Sequence, residues 1–404
     1  MLSTVTLAAA LSVQPALRTP PVARLPAPVR IGNILLAETA ATTDEDTMLL
    51  GKVRAVSLDG LVSILPEDRG SAQVGTMLKF GGGGTGVIIA ERCGLYFAAA
   101  LDGVAPTTDQ EAVLLPQNLT VAGWNRDADA WGGPHDYLGR PTTDGVAKAG
   151  AAAHGTSDDP VVFAPPVTAA QRRPIGASLH TGVVAIDALA PIGRGQSMML
   201  FGPDSLPPGS GRTDLALRII RAQKDLGSGV RCVLVLAEPD AEARRRAIDA
   251  LAEAGALQNT KILEAATPIE GYIAAQTACS IAQACDADDV LVVVDSLRPY
   301  LVLWQAVCKA LSDANIAVGA EEEGSQQRSY YSRLVERAAR RKERKEDEGS
   351  AAGGGSVTLL LLQPSVSVLP TAGERKEAYT LADFESGGFT KTVCSRVKML
   401  EDKV

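Results

Sequence analysis

The chain has 404 residues, 46% apolar and 21% charged, enough for two or three folded domains with a sizeable core. Its formal net charge of −8 argues against nucleic acid as the main ligand, because phosphate backbones are held by clustered Lys and Arg. Six cysteines without a Cys-x-x-Cys pair, three histidines, and no apolar run of about eighteen residues argue against a zinc site, a disulfide framework and a membrane span.

Residues 1–37 contain no Asp, Glu or Lys, and carry Arg18, Arg24 and Arg30 among Ala, Pro, Ser and Thr. That composition suits an organelle-targeting leader, expected over residues 1–47 and directing the chain to a chloroplast or other plastid, or to a mitochondrion. The apolar opening LSTVTLAAALSV also suits a signal-peptide core, and a disordered Pro/Ala tail is the plain alternative.

From Met48 the texture changes. MLLGKVRAVSLDGLVSILPEDRG alternates apolar and polar residues around a turn at Asp59-Gly60, the pattern of a β-hairpin. Short strands continue through Leu101, with a glycine run at Gly81–Gly84. That run lies between two strands and lacks a following Lys-Ser/Thr and helix, so it reads as a turn. Residues 48–122 are expected to form a small all-β barrel. Residues 123–165, rich in Gly, Ala, Pro and Asp, read as a connector with a turn at Gly139–Gly145.

Residues 166–404 follow an α/β pattern. SMMLFG, RCVLVLA, TKILEAA and DDVLVVVDSL read as buried strands, separated by the helical runs TDLALRIIRAQKDL and AEARRRAIDALAEAGAL. Such alternation implies a parallel sheet covered on both faces. The mixed-sign run Arg337–Glu348 reads as a solvated helix end, followed by a glycine hinge and one more buried strand.

Two features carry candidate chemistry. SMMLFG leads through PDSLPPGSGRTD into a helix, the strand–loop–helix context in which backbone N–H groups and a helix N-terminus cradle phosphate. Gly211 and Thr213 fit the last glycine and the magnesium hydroxyl of G-x-x-x-x-G-K-[ST], but Arg212 stands at the lysine. The spacing from Gly202 to Gly211 is four residues longer than that pattern. Asp295 ends the VLVVVD strand, where a nucleotide-binding sheet places its magnesium-associated acid.

The segment HTGVVAIDALAPIGRGQ, His180 to Gln196, resembles the entry to the nucleotide-binding domain of rotary ATPases through Thr181, Gly182, Ala185, Asp187 and Pro191–Gln196. ALQNTKILEAAT, YSRLVERAA and GGGSVTLLLL are similar to later segments of the F-type ATP synthase alpha subunit, and GKVRAVSLDGLVSI to its barrel. The resemblance covers roughly residues 48–365, and its wording favours alpha over the catalytic beta subunit. Termination-factor helicases share the core, but the aromatic-poor barrel gives no support for RNA stacking.

The resemblance implies a β-barrel followed by a RecA-like domain. It also implies ATP or ADP with magnesium, at Gly202, Gly209, Gly211, Arg212, Thr213 and Asp214, with Thr213 and Asp295 serving the metal. Partners would be beta- and alpha-type subunits of a proton-translocating hetero-oligomer, at most peripheral to a membrane. Arg396 is a candidate for the interface arginine. Departures accompany this. Arg212 cannot act as the compact point charge of a lysine. SLPP lengthens the loop. Pro239 stands where the alpha subunit has glutamine and the beta subunit glutamate, with Glu238 one residue before, so no catalytic residue carries over. The alpha subunit's Pro-rich interface loop is replaced by AVGAEEEGSQQ, and its C-terminal helical domain is expected to be absent. Three readings stay open: a non-catalytic alpha-type ring subunit, a degenerate paralogue in assembly or regulation, and an independent RecA-like ATPase.

Overall fold

The computed structural model describes residues 48–57, 60–67, 72–101, 103–122, 124, 131–143, 146–147, 155–202, 211–237, 240–285, 288–342 and 354–364. Strands β1 (Met48–Val56), β2 (Leu61–Pro66), β3 (Thr76–Phe80), β4 (Thr85–Arg92), β5 (Leu95–Ala100) and β6 (Glu111–Asn118) close into a barrel in the order β1-β2-β5-β4-β3-β6. In β1, Leu50, Gly51 and Val53 are buried while Lys52 and Arg54 face water, and register shifts interrupt strict alternation. Register shifts at Val53/Ala55 and Ile88/Ala90 mark bulges, which bend strands enough for a small barrel to close. The glycine run is the β3–β4 turn, where the Gly83 N–H donates to Phe80 O.

The span read as connector also contributes structure. β7 (Gly133–Asp136) pairs in parallel with a later strand, and the two-residue strands β8 (Thr142–Thr143) and β9 (Val146–Ala147) form a hairpin. β7 carries the sequence GPHD, without the apolar alternation that marks a strand; it is held as a sheet edge. β10 (Ser178–Leu179), α1 (Val184–Leu189) and β11 (Ile192–Gly193) then lead into the α/β domain.

That domain comprises β12 (Ser197–Gly202), α2 (Arg212–Asp225), β13 (Arg231–Leu236), α3 (Ala241–Glu253), β14 (Thr260–Glu264), α4 (Pro268–Ala284), β15 (Asp289–Val294), α5 (Arg298–Asp313), α6 (Ala320–Val335), β16 (Ala339–Arg340) and β17 (Ser356–Pro364). The sheet order is β12-β17-β15-β13-β14-β7, parallel throughout, with β16 antiparallel on β17. Because side chains alternate, each strand feeds two cores. Val233, Val235, Val292 and Val294 pack with α4, α5 and α6; Cys232, Leu234, Leu291 and Val293 pack with α1, α2 and α3. A barrel followed by a parallel, two-faced α/β sheet is the fold expected from sequence.

The charge run corrects one expectation. α6 stops at Val335, and Arg337 is 1% exposed rather than solvated. Ala338 and Ala339 are buried, and Ala339 pairs with Val357 of β17, so the chain turns inward and carries Arg337 with it. The guanidinium donates to Gln276 Oε1 (2.8 Å), Ser280 Oγ (2.7 Å), Gln283 Oε1 and the carbonyl of Val162 (3.0 Å). Those neutral acceptors satisfy its donors without a carboxylate. Residues 343–348 of the run lie outside the described residues.

Candidate nucleotide-binding site

The motif residues that carry the family resemblance hold the domain's entry in place. Asp187 Oδ1 accepts from the Thr181 N–H (2.8 Å) and Thr181 Oγ1 (2.7 Å), and its Oδ2 accepts from the Gly182 N–H (3.1 Å). Gly182 has φ +73°, and a Cβ there would stand 2.7 Å from Ala222 on α2. In PIGRGQ, Arg194 ion-pairs with Asp289 at the start of β15, and the Gly195 N–H donates to Thr358 Oγ1 of β17 (2.9 Å). Gly195 has φ +95°, and a Cβ there would lie 2.4 Å from Arg340 N. The motif therefore clamps the segment before β12 to the rest of the sheet and aims β12 at its loop.

β12 ends at Gly202 and α2 begins at Arg212, with Gly211 as its N-cap, so the strand–loop–helix reading stands. Gly209 and the inserted Ser205–Pro208 lie outside the described residues. Gly211 is in extended backbone, and among the described residues, which leave out 203–210, a Cβ there would meet nothing nearer than Asp214 Oδ2 at 3.8 Å. Thr213 is half-buried in the first turn, and Arg212 is 9% exposed, folded into the protein. Asp214, grouped with the nucleotide-binding residues, accepts the Gly211 N–H at 3.3 Å. A carboxylate thus caps the helix start, the position where an incoming phosphate would find partial positive charge.

Asp295 follows β15 and is 4% exposed. Its Oδ1 accepts the Ala237 N–H at 2.8 Å, tying the ends of β13 and β15. β12 and β15 are separated by β17, so their C-terminal ends stand two strand spacings apart, about 10 Å. The parallel register therefore brings Gly202, the α2 start and Asp295 to one edge of the sheet. Glu238, Pro239 and Arg396 are outside the described residues.

Sequence reasoning missed Glu264. It ends β14 at the same edge, opposite Leu236 of β13. Burial pushes its carboxyl above the usual carboxylate range, against the pull of Arg244 on α3. The acid at the end of TKILE was visible, but its place at this edge, two strands from β15, depends on strand order. Asp136, at the end of β7, is committed to its own turn through Leu138 N, Arg140 N and an ion pair with Arg140.

The residues fit a magnesium nucleotide in kind: a glycine at the helix N-cap, a first-turn hydroxyl and a buried carboxylate, all at one sheet edge. The Asp214 cap and the inward Arg212 weaken that fit.

Comparison with known proteins agrees with this layout. Residues 182–368 match the family model described as ATP synthase alpha/beta family, nucleotide-binding domain. The ATP synthase subunit alpha of Acetivibrio thermocellus is 35% identical over 142 residues, covering 34% of this chain and 27% of that protein. That of Caldanaerobacter subterraneus subsp. tengcongensis is 33% identical over 150 residues, covering 36% of this chain and 28% of that protein. The match thus spans little more than a quarter of these curated relatives.

Proposed function

We propose that this chain, whose residues 182–368 match the ATP synthase alpha/beta family model, holds Mg-ADP or Mg-ATP without turning it over. In this reading it is an alpha-like component of, or accessory to, a proton-translocating F-type ATP synthase. The observation that carries it is the α2 start. Thr213 in the first turn of α2 and the buried Asp295 carboxylate after β15 stand at the same sheet edge, which supports a metal nucleotide there. Backbone N–H groups of the loop from Gly202 through Gly209 to Gly211, with Arg212, would hold the phosphates. Magnesium, when bound, would neutralise phosphate charge. No side chain is assigned to activate water. Partners would be beta- and alpha-type subunits, and the acid-free stretch 1–37 supports an organelle location.

Among the alternatives within this reading, the lengthened Pro207-Pro208 loop and the inward Arg212 favour the accessory role. Prolines supply no N–H to a cradle. Native purification from the source organism tests this. Recovery in substoichiometric amounts with unassembled alpha or beta subunits supports the accessory role. Stoichiometric recovery with beta and gamma subunits supports a ring subunit, and recovery with no ATP synthase subunit overturns both.

A further inference from the structure

A cavity of about 740 Å³ opens between the barrel and the last turn of α4, within the size range of small-molecule sites. α4 runs back from the end of β14 to the start of β15, so residues 280–284 stand at the N-terminal edge of the sheet. The cavity is therefore at the opposite edge from Gly202 and Asp295 and shares nothing with the nucleotide site.

Its chemistry is specific. Trp124 and Phe163 supply aromatic walls, and Gln73, Asn118 and Gln283 supply amides. Among the described residues that line it, Asp158 is the one charged side chain, and the Arg337 guanidinium lies behind the wall on Ser280 and Gln283. Gln283 is held from behind. Its Oε1 accepts Nε (3.1 Å) and Nη2 (2.5 Å) of the buried Arg337. The amide plane is thereby fixed, and its amino group is the remaining polar end, polarised by a cation in a medium of low dielectric.

We propose that this cavity binds a planar heteroaromatic molecule and favours a cation over an anion. Its ring would lie on Trp124 and Phe163, and its heteroatom edge would meet the Gln283 and Asn118 amides. Asp158 at the exposed rim favours a positive charge.

The test titrates the full chain, with saturating Mg-ADP present, with 4-aminoquinoline, a cation at neutral pH, and with quinoline-4-carboxylate. Tryptophan emission is the readout, because Trp131 and Trp304 are buried while Trp124 is accessible. Saturable quenching by the amine is expected, about tenfold tighter than by the acid, a difference of roughly 1.4 kcal/mol. Trp124→Leu should abolish the signal. Asp158→Asn and Gln283→Leu should each weaken binding several-fold. Because Gln283→Leu also strips an acceptor from Arg337, Asn118→Ala, on an exposed strand end, is the second variant. Absence of saturable quenching, equal affinity for both probes, or unchanged affinity in Asp158→Asn and Asn118→Ala would overturn the proposal.

Discussion

The ammonium nitrogen of Lys261 lies 3.0 Å from Nε2 of His135, joining edge strand β7 to β14 through side chains as well as backbone. His135 Nδ1 is 2.9 Å from the carbonyl of Gly133, which assigns the imidazole proton to Nδ1 and leaves Nε2 to accept from the lysine. The ring of Trp131 covers the ammonium at 5.7 Å. Burial pushes Lys261 down to about 8, with nearby Cys285 pulling the other way.

Stability should therefore rise with pH above 8. An unfolded lysine titrates near 10.4, so between about 8 and 10.4 the unfolded chain binds more protons than the folded one. The gain across that window is about 3 kcal/mol, and below pH 8 the full cost of the buried cation is present. Urea unfolding at pH 7 to 10.5 should show this rise in wild type and a shallower one in Lys261→Met. Parallel pH slopes in the two proteins would contradict it.

Asp214→Ala should separate binding from stability. Removing the carboxylate from the α2 start clears a place for phosphate, so a fluorescent ADP should bind roughly tenfold tighter, about 1.4 kcal/mol. The same change removes the cap from the Gly211 N–H and should lower unfolding free energy by about 0.5–1 kcal/mol. Weaker binding in the variant would mean that Asp214 serves the ligand instead.

The purified protein should show no ATP hydrolysis above background. Asp295→Asn keeps an oxygen for the Ala237 N–H, so it should fold, but it removes the charge available to magnesium. Magnesium-dependent nucleotide binding should fall about tenfold or more, roughly 1.4 kcal/mol, while any magnesium-independent binding stays level. Turnover in wild type that disappears in Asp295→Asn would overturn the non-catalytic reading.

Deleting Ser205–Pro208 together with Arg212→Lys should restore loop length and the compact charge. A gain of about tenfold in nucleotide affinity is expected, or roughly 1.4 kcal/mol. Tight binding created from none would point to a native loop that blocks the pocket, and no change at all would remove the nucleotide reading.

Arg337→Met should be among the most damaging substitutions in the chain. It leaves Gln276, Ser280, Gln283 and the Val162 carbonyl without their shared donor, at roughly 3–5 kcal/mol in urea unfolding. Arg337→Lys should not rescue it, because one ammonium cannot reproduce the planar fork. A loss under about 1 kcal/mol would show the network to be replaceable.

Local chemistry made much of this molecule legible from its residues. Alternation in MLLGKVRAV and the glycine turn at Gly81–Gly84 identified barrel strands, because a strand side chain's face depends on nearest neighbours. Buried runs such as VLVVV and the helical spacing of TDLALRIIRAQKDL were readable for the same reason, and PIGRGQ through its resemblance. β7 was missed because GPHD has no such pattern and becomes a strand only by pairing with β14, about 128 residues away in the register Lys261–Gly133.

The amino-acid sequence by itself determined the order and kind of most elements, the likeness to the ATP synthase alpha/beta family, and the residue types between β12 and α2. Tertiary structure alone decided what those side chains do. It buried Arg337 against the Val162 carbonyl, 175 positions away, and put the Asp187 carboxylate on Thr181 instead of a ligand. It set Glu264 at the edge that Asp295 shares, and fixed Gln283 in the wall of a cavity at the opposite edge. The reason is physical: propensity and periodicity act over a few residues, whereas burial and hydrogen-bond partners are set by contacts between segments far apart in the chain.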